Sequence, residues 1–320
     1  MTVLLQRLGY YYIPSLFQGN IQEIFPVACC RVLAGRPSQV SVDFPVRRPG
    51  TSCYPVAMKH RPRKRFGQHF LHDPHTIRRI LAVVGPRPGD RLVEIGPGQG
   101  AITTGLLRAA GNLDVVELDR DLIEPLAHRC AGLGELTLHR ADALDFDLRS
   151  LYPDQRLRLI GNLPYNISTP LLFRFLDQAD CIDDMHFMLQ KEVVARITAT
   201  LGTKTYGRLS VMIRTYCRAE PLFYIGSGAF TPAPKVDSGF LRLIPHRPLP
   251  YPVQDPAFLA HLVTRAFAQR RKTLRNSLQG LVDTRLLRAQ GLDPGQRAEE
   301  LSVAAFVGLA NAACKTPLSP

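Results

Sequence analysis

Residues 91–100 read RLVEIGPGQG, an apolar run that closes on three glycines, Gly96, Gly98 and Gly100. The run 91–96 predicts a buried strand, and helical periodicity resumes over 102–110, so the glycines occupy a strand-to-helix turn. Missing Cβ atoms let a ligand approach the backbone there, which makes Gly96 and Gly98 candidate binding positions. A dinucleotide fingerprint would hold a pyrophosphate on G-x-G-x-x-G. Here Gly100 comes one residue early, and a phosphate site is not expected. Taken alone, the same residues also describe an ordinary tight turn.

The alternation continues outward. Apolar segments at 113–119 (LDVVELD), 136–142 (LTLHRAD), 157–164 (LRLIGNLP) and 185–190 (MHFMLQ) predict strands; 121–130, 169–178 and 191–200 predict helices between them. A helix at 208–218 and two further strands, LFYIG from 222 and FLRLIP from 240, complete the set. Strand and helix in succession imply an α/β fold with a mainly parallel sheet. Seven strands with a late pair matches the count of a Rossmann-like methyltransferase.

Acids fall at the ends of these strands. Glu117, 21 residues after Gly96, closes the second strand, where a carboxylate can accept both hydroxyl hydrogens of a ribose. Asp142 closes the third and can accept from an adenine amine. Either acid alone would as readily be a helix cap or a solvated charge. Glycine turn, acid and acid at three successive strand ends outline a nucleoside pocket without a phosphate site, as S-adenosylmethionine requires.

The fourth strand ends in Asn162-Leu163-Pro164-Tyr165. Asn and Pro both favour turns, so the tetrapeptide by itself is unremarkable in its local role. Beside a methyl-donor pocket it gains a chemical meaning. An adenine amine is a poor nucleophile because its lone pair is delocalised into the ring. The Asn162 side-chain oxygen and a backbone carbonyl, that of Leu163 or Pro164, can accept both amine hydrogens and favour a pyramidal nitrogen. Tyr165 would stack on the base.

Composition narrows the partner. Forty Lys and Arg oppose 27 Asp and Glu, a net charge of +13, which suits a polyanion and nucleic acid first. Residues 59–79 hold seven of the cations, among them Arg63, Lys64 and Arg65, and 261–280 hold five, among them Arg270, Arg271, Lys272 and Arg275. In the second stretch Leu262, Ala266, Leu274 and Leu278 form an apolar stripe, predicting one helix over 256–279 with an RNA-facing edge. A solvated cationic surface is the competing explanation. Seven cysteines without a C-x-x-C pair suit a reduced compartment, and neither a metal site nor a membrane span is expected.

RKRFGQHFL, VEIGPGQG, ELDRDL, GNLPYNISTPLLF, MLQKEVVARI, YGRLSV, AFTPAPKVDSGF and QRRKTLRNSL occur in that order. On these motifs the chain, from about Met58 onward, resembles the bacterial ribosomal RNA adenine dimethyltransferases. The resemblance implies a Rossmann-like domain that moves methyl groups from S-adenosylmethionine to two adjacent adenosines in the 3′-terminal hairpin loop of small-subunit rRNA. It implies a cytoplasmic monomer acting on the immature 30S subunit. It assigns donor binding to His69, Leu71, Gly96, Glu117, Asp142 and Asn162, and a second base-stacking ring to Phe230. His69 departs from the family, which usually has Asn there.

Five prolines within 245–256 interrupt any sheet ladder, which sets an expected boundary between a methyltransferase domain over 58–247 and a helical RNA-docking domain over 248–320. Residues 1–57 contain neither Lys nor His and lack periodicity. They are expected to be a poorly structured or non-native extension, a start codon placed too far upstream, with a targeting segment as the alternative. Two other functions stay open: a ribosome-assembly factor whose binding matters more than methylation, and an adenine methyltransferase of DNA.

Overall fold

The computed structural model describes residues 67–315; the 1–57 extension and Arg63, Lys64 and Arg65 lie outside the described residues. The strands fall into an ordered set of four, β4-β3-β2-β5, an ordered set of three, β6-β9-β7, and a separate two-stranded pair that joins β1 to β8. The described chain divides into two compact units, 67–171 with 227–235, and 172–226 with 236–315.

The first unit holds four parallel strands, β2 (Leu92–Ile95), β3 (Asn112–Glu117), β4 (Glu135–Arg140) and β5 (Leu157–Asn162). Every residue of β2 is buried, as a central parallel strand covered on both faces requires; three of its four residues are apolar and the fourth is Glu94. Helices α1 (Pro74–Val84), α2 (Thr103–Ala110) and α3 (Arg120–Cys130) belong to this unit. Local chemistry fixes the ends of α1. The Asp73 carboxylate accepts from Thr76 N at 2.8 Å, Pro74 takes a position where its missing N–H costs nothing, and Gly85 closes the helix at φ 55°. Arg158 of β5 donates to Asp90 at 2.7 Å and to the Val84 carbonyl at 2.8 Å, which ties the strand to the end of that helix. The pair β1 (Phe70–Leu71) and β8 (Phe230–Thr231) is antiparallel and too short to leave a period in the sequence.

The second unit contains the antiparallel strands β6 (Ile182–Gln190), β7 (Cys217–Ile225) and β9 (Ser238–Pro245). Strand β7 begins five residues before the expected LFYIG. Its first half, CRAEP, has no alternating apolar pattern, and the ladder is irregular between Pro221 and Phe223. Helix α4 (Ser168–Leu176) leads into this unit, followed by α5 (Lys191–Ile197) and α6 (Arg208–Tyr216). After the prolines come α7 (Pro256–Phe267), α8 (Leu274–Ser277), α9 (Thr284–Ala289) and α10 (Val303–Lys315). Val211 and Met212 of α6 share one hydrophobic cluster with Leu259, Leu262 and Val263 of α7 and Phe306 of α10. Residues on both sides of the proline-rich stretch therefore build a common core. Among the described residues no helix is long and apolar enough to cross a membrane.

The expected single helix over 256–279 is corrected to two. Residues 268–273 form a turn, because the backbone beyond it pairs outward: Leu274 N donates to Gln296 O at 2.8 Å and Arg275 N to Pro294 O at 3.1 Å. Leu262, Ala266, Leu274 and Leu278 are nonetheless all buried. Their spacing reported which residues enter the core, and a bent path meets that demand as well as a straight helix does. Arg271 and Lys272 consequently stand in a turn, while Arg275 stands on α8.

Candidate active site

All of the described candidates for donor and base binding belong to the first unit. The glycine turn follows β2, with Gly96 N bonded to Val116 O at 2.9 Å and both Gly96 and Gly98 at positive φ, 65° and 57°. A Cβ on Gly98 would come 3.0 Å from the Phe70 ring, so backbone conformation and close packing both require glycine there.

Glu117 closes β3, one strand over. It is 8% exposed, and two backbone amides hold its carboxylate: Asp119 N at 2.8 Å and Gly98 N at 3.4 Å. Burial pushes its pKa up, and those two amides oppose the rise by favouring the charged form. Ala141 N bonds to Glu117 O at 3.2 Å, which brings the end of β4 alongside. Asp142 follows, half-buried, with Oδ1 accepting from Leu144 N at 2.9 Å. The strand ends thus put the glycine turn and both acids side by side.

Two neighbours carried no sequence signal. Leu118, between the buried acids Glu117 and Asp119, is 46% exposed, an apolar face next to the ribose-binding candidate. Asp119 caps α3 through Asp121 N and also accepts from Gln68 Nε2 at 3.0 Å, so the segment before β1 is anchored at the end of β3.

Asn162 is the last residue of β5. Its Nδ2 donates to the backbone carbonyl of His69 at 2.9 Å. A carbonyl can only accept, so the amide nitrogen faces His69 and the oxygen is the group left to receive hydrogens. Leu163 is buried and Tyr165 half-buried. The Pro164 carbonyl accepts from Ile167 N at 3.1 Å and closes the turn into α4. The Tyr165 ring stacks on the His69 ring, with centroids 5.5 Å apart and planes 29° from parallel.

Phe230, expected to stack on the base, is 2% exposed and paired in register with Leu71, itself 7% exposed. A ring on a two-residue strand has no local pattern that separates burial from display.

Glu94, in the middle of β2, is the other unusual acid. It is 1% exposed, and its Oε2 has no hydrogen-bond partner among the described residues. Burial raises its carboxyl to about 8; the Thr103 hydroxyl opposes this and the charge of Glu117 adds to it. Among the described residues no three His, Cys, Asp or Glu side chains gather as a metal site would require.

The cations of the second unit divide by role. Arg270 donates to the backbone carbonyls of Lys204 and Tyr206, the latter at 3.0 Å, and lies 3.9 Å from Glu299. It therefore ties down the loop before α6. Arg271, Lys272 and Arg275 are exposed.

A parallel sheet whose successive strand ends carry a glycine turn, a buried acid and a second acid, with Asn-x-Pro-Tyr at the fourth, defines a Rossmann-like methyltransferase. The solved structures agree on the fold. A dimethyladenosine transferase from Plasmodium falciparum superposes with a TM-score of 0.65 at 24% identity, over 75% of this chain and 96% of its own. The 23S rRNA methyltransferase ErmE gives 0.61, also at 24%, over 77% and 99%. Residues 59–315 match the ribosomal RNA adenine dimethylase family, and the chain belongs to it. It is an S-adenosylmethionine-dependent rRNA adenine dimethyltransferase. Two proteins called ribosomal RNA small subunit methyltransferase A illustrate the similarity. That of Methylococcus capsulatus is 56% identical over 252 residues, 79% of this chain and 98% of its own length. That of Pseudomonas aeruginosa is 53% identical over 260 residues, 81% and 97%.

The residues present fit the donor. Two glycines at positive φ leave the turn without Cβ atoms, and a buried carboxylate held by backbone amides stands beside an exposed leucine, a set suited to a nucleoside. The donor supplies an electrophilic methyl group on sulfur; the chain supplies the surfaces that hold it.

Proposed function

We propose that the chain dimethylates the N6 amines of two adjacent adenosines in the 3′-terminal hairpin loop of small-subunit rRNA, in the cytoplasm and late in the assembly of the 30S subunit. The observation that carries the chemistry is the Asn162 amide, whose nitrogen is engaged by His69 and whose oxygen is left to accept. Near-complete coverage of relatives named for the small subunit supports the choice of substrate.

In this reading Asn162 Oδ1 and the Leu163 carbonyl accept the two amine hydrogens. The bond from Ile167 N already made by the Pro164 carbonyl favours Leu163 as the second acceptor. The amine lone pair then forms a bond to the methyl carbon as the carbon–sulfur bond breaks, its electron pair going to sulfur. The resulting ammonium loses a proton to solvent, and a second round follows. Tyr165 stacks on the target base, worth ~1–3 kcal/mol. Glu117 accepts from the donor ribose, Asp142 from the donor adenine, and Leu118 lies against that adenine. Gly96, Gly98 and Leu71 complete the donor side, where the family resemblance also places position 69. Arg271, Lys272 and Arg275, with Arg63, Lys64 and Arg65, contact RNA phosphates.

The test is incubation with labelled S-adenosylmethionine and under-methylated small subunits, free rRNA or duplex DNA, followed by nucleoside mass spectrometry. Dimethyladenosine confined to the small subunit is expected. Label in duplex DNA alone, or none anywhere, would overturn the reading.

A further inference from the structure

The segment 68–72 is held from several directions. Gln68 Nε2 donates to Asp119 at 3.0 Å, Phe70 and Leu71 pair with Thr231 and Phe230, and His72 N donates to Ala229 O at 2.9 Å. His69 sits at the centre of these ties. Its own backbone carbonyl accepts from Asn162 Nδ2 at 2.9 Å, its Nδ1 lies 2.7 Å from Pro232 O, and its ring stacks on Tyr165. A backbone carbonyl has no hydrogen to give, so Nδ1 must carry the proton and the tautomer is fixed. With Nδ1 on Pro232 and the ring against Tyr165, the side chain touches the residue assigned to stack on the target adenine.

We infer that His69 is a positioning residue for the acceptor base: its ring, locked by Pro232, sets the plane of Tyr165, while its carbonyl sets the orientation of the Asn162 amide. The inference rests on the base-binding reading above and alters one part of it. Family resemblance gives position 69 to the donor; the geometry gives its side chain to the acceptor. An asparagine there could keep the bond to Pro232 but has no ring to place against Tyr165, so the stack is particular to a chain that has histidine.

Three variants separate the contributions. His69→Ala removes ring and donor, His69→Phe keeps a ring without the donor, and His69→Asn keeps a donor without the ring; all three keep the backbone bond to Asn162. Each is assayed for single-turnover methylation of under-methylated small subunits at saturating S-adenosylmethionine, for subunit KM, and for S-adenosylhomocysteine affinity by calorimetry. Misplacing a reacting group by a fraction of its size costs about 10- to 100-fold in rate, and a loss in that range is expected for Ala. Phe and Asn should each fall between Ala and the unaltered chain. Nucleoside affinity should be unchanged in all three, which also shows that the fold is intact. A merely structural role would lower the melting temperature without this ordering of rates. Should Ala fail to fold, Phe and Asn are each compared with the unaltered chain: a lower rate with unchanged nucleoside affinity in both supports the inference, and unchanged rates in both overturn it.

Two results would overturn the inference: an unchanged rate and subunit KM in every variant, or weaker nucleoside binding with an unchanged rate at saturation. Glu117→Ala is measured alongside. If that variant binds nucleoside normally, the donor-pocket reading fails, while the His69 rates still report on the acceptor side.

Discussion

The Asn162 side-chain amide donates to the backbone carbonyl of His69 at 2.9 Å, although 93 residues separate the two in sequence. The bond decides which end of a nearly symmetric amide is available. With nitrogen committed, oxygen remains as an acceptor, the polarity that an amine nucleophile needs. Had the amide been turned around, it would present hydrogens to hydrogens.

Asn162→Ala should therefore remove one preorganised partner of the transition state and lower methyl transfer by roughly two to three orders of magnitude. Binding of small subunits should hardly change. Single-turnover rates and a sedimentation binding assay check the two parts; near-normal turnover would reject the role of the side chain.

Glu117→Ala should act on the donor instead. A carboxylate fixed by Asp119 N and Gly98 N is already oriented, and losing its charged hydrogen bonds is expected to weaken nucleoside binding by about 1.5 to 3 kcal/mol. Calorimetry with S-adenosylhomocysteine measures this directly. RNA affinity should not follow.

Glu94 gives a prediction with a definite sign. Its carboxyl is raised from 4.5 to about 8 in the folded protein, mainly by burial. A raised pKa means that the folded state holds its proton more tightly than the unfolded chain does. The associated stability is complete below 4.5 and is lost as pH rises toward 8. Glu94→Gln keeps the shape and removes the titration. Thermal melts across that range should show the variant gaining on the unaltered chain as pH increases; a constant difference would count against a buried titrating acid.

Replacing Arg271 and Lys272 by Gln should weaken subunit binding at moderate salt and flatten its salt dependence, each lost phosphate contact reducing the slope by somewhat less than about one unit. The turn that carries them is exposed, so the melting temperature should hold. Arg270→Gln should behave in the opposite way, lowering the melting temperature through loss of its bonds to the Lys204 and Tyr206 carbonyls. Equal salt slopes for all three proteins would leave the phosphate assignment unsupported.

Where the strands end, and what stands there, could be read from the residues alone. Strand ends are written locally: an apolar run stops, and a glycine, an acid or an Asn-x-Pro turn follows within one or two residues. That is why Gly96, Glu117, Asp142 and Asn162 stand out from their place in the chain, and why the family motifs fall in order around them. The folded chain settled the rest. It turned the Asn162 amide toward His69, set the His69 ring on Tyr165 and against Pro232, buried Phe230 opposite Leu71, and broke the basic helix at 268–273. It also divided neighbouring arginines, giving Arg270 to the loop before α6 and leaving Arg271 to solvent. Each of these rests on contacts between residues distant in the chain. Hydrophobic period reports that a side chain is buried, and neither which partner buries it nor which way its polar atoms face.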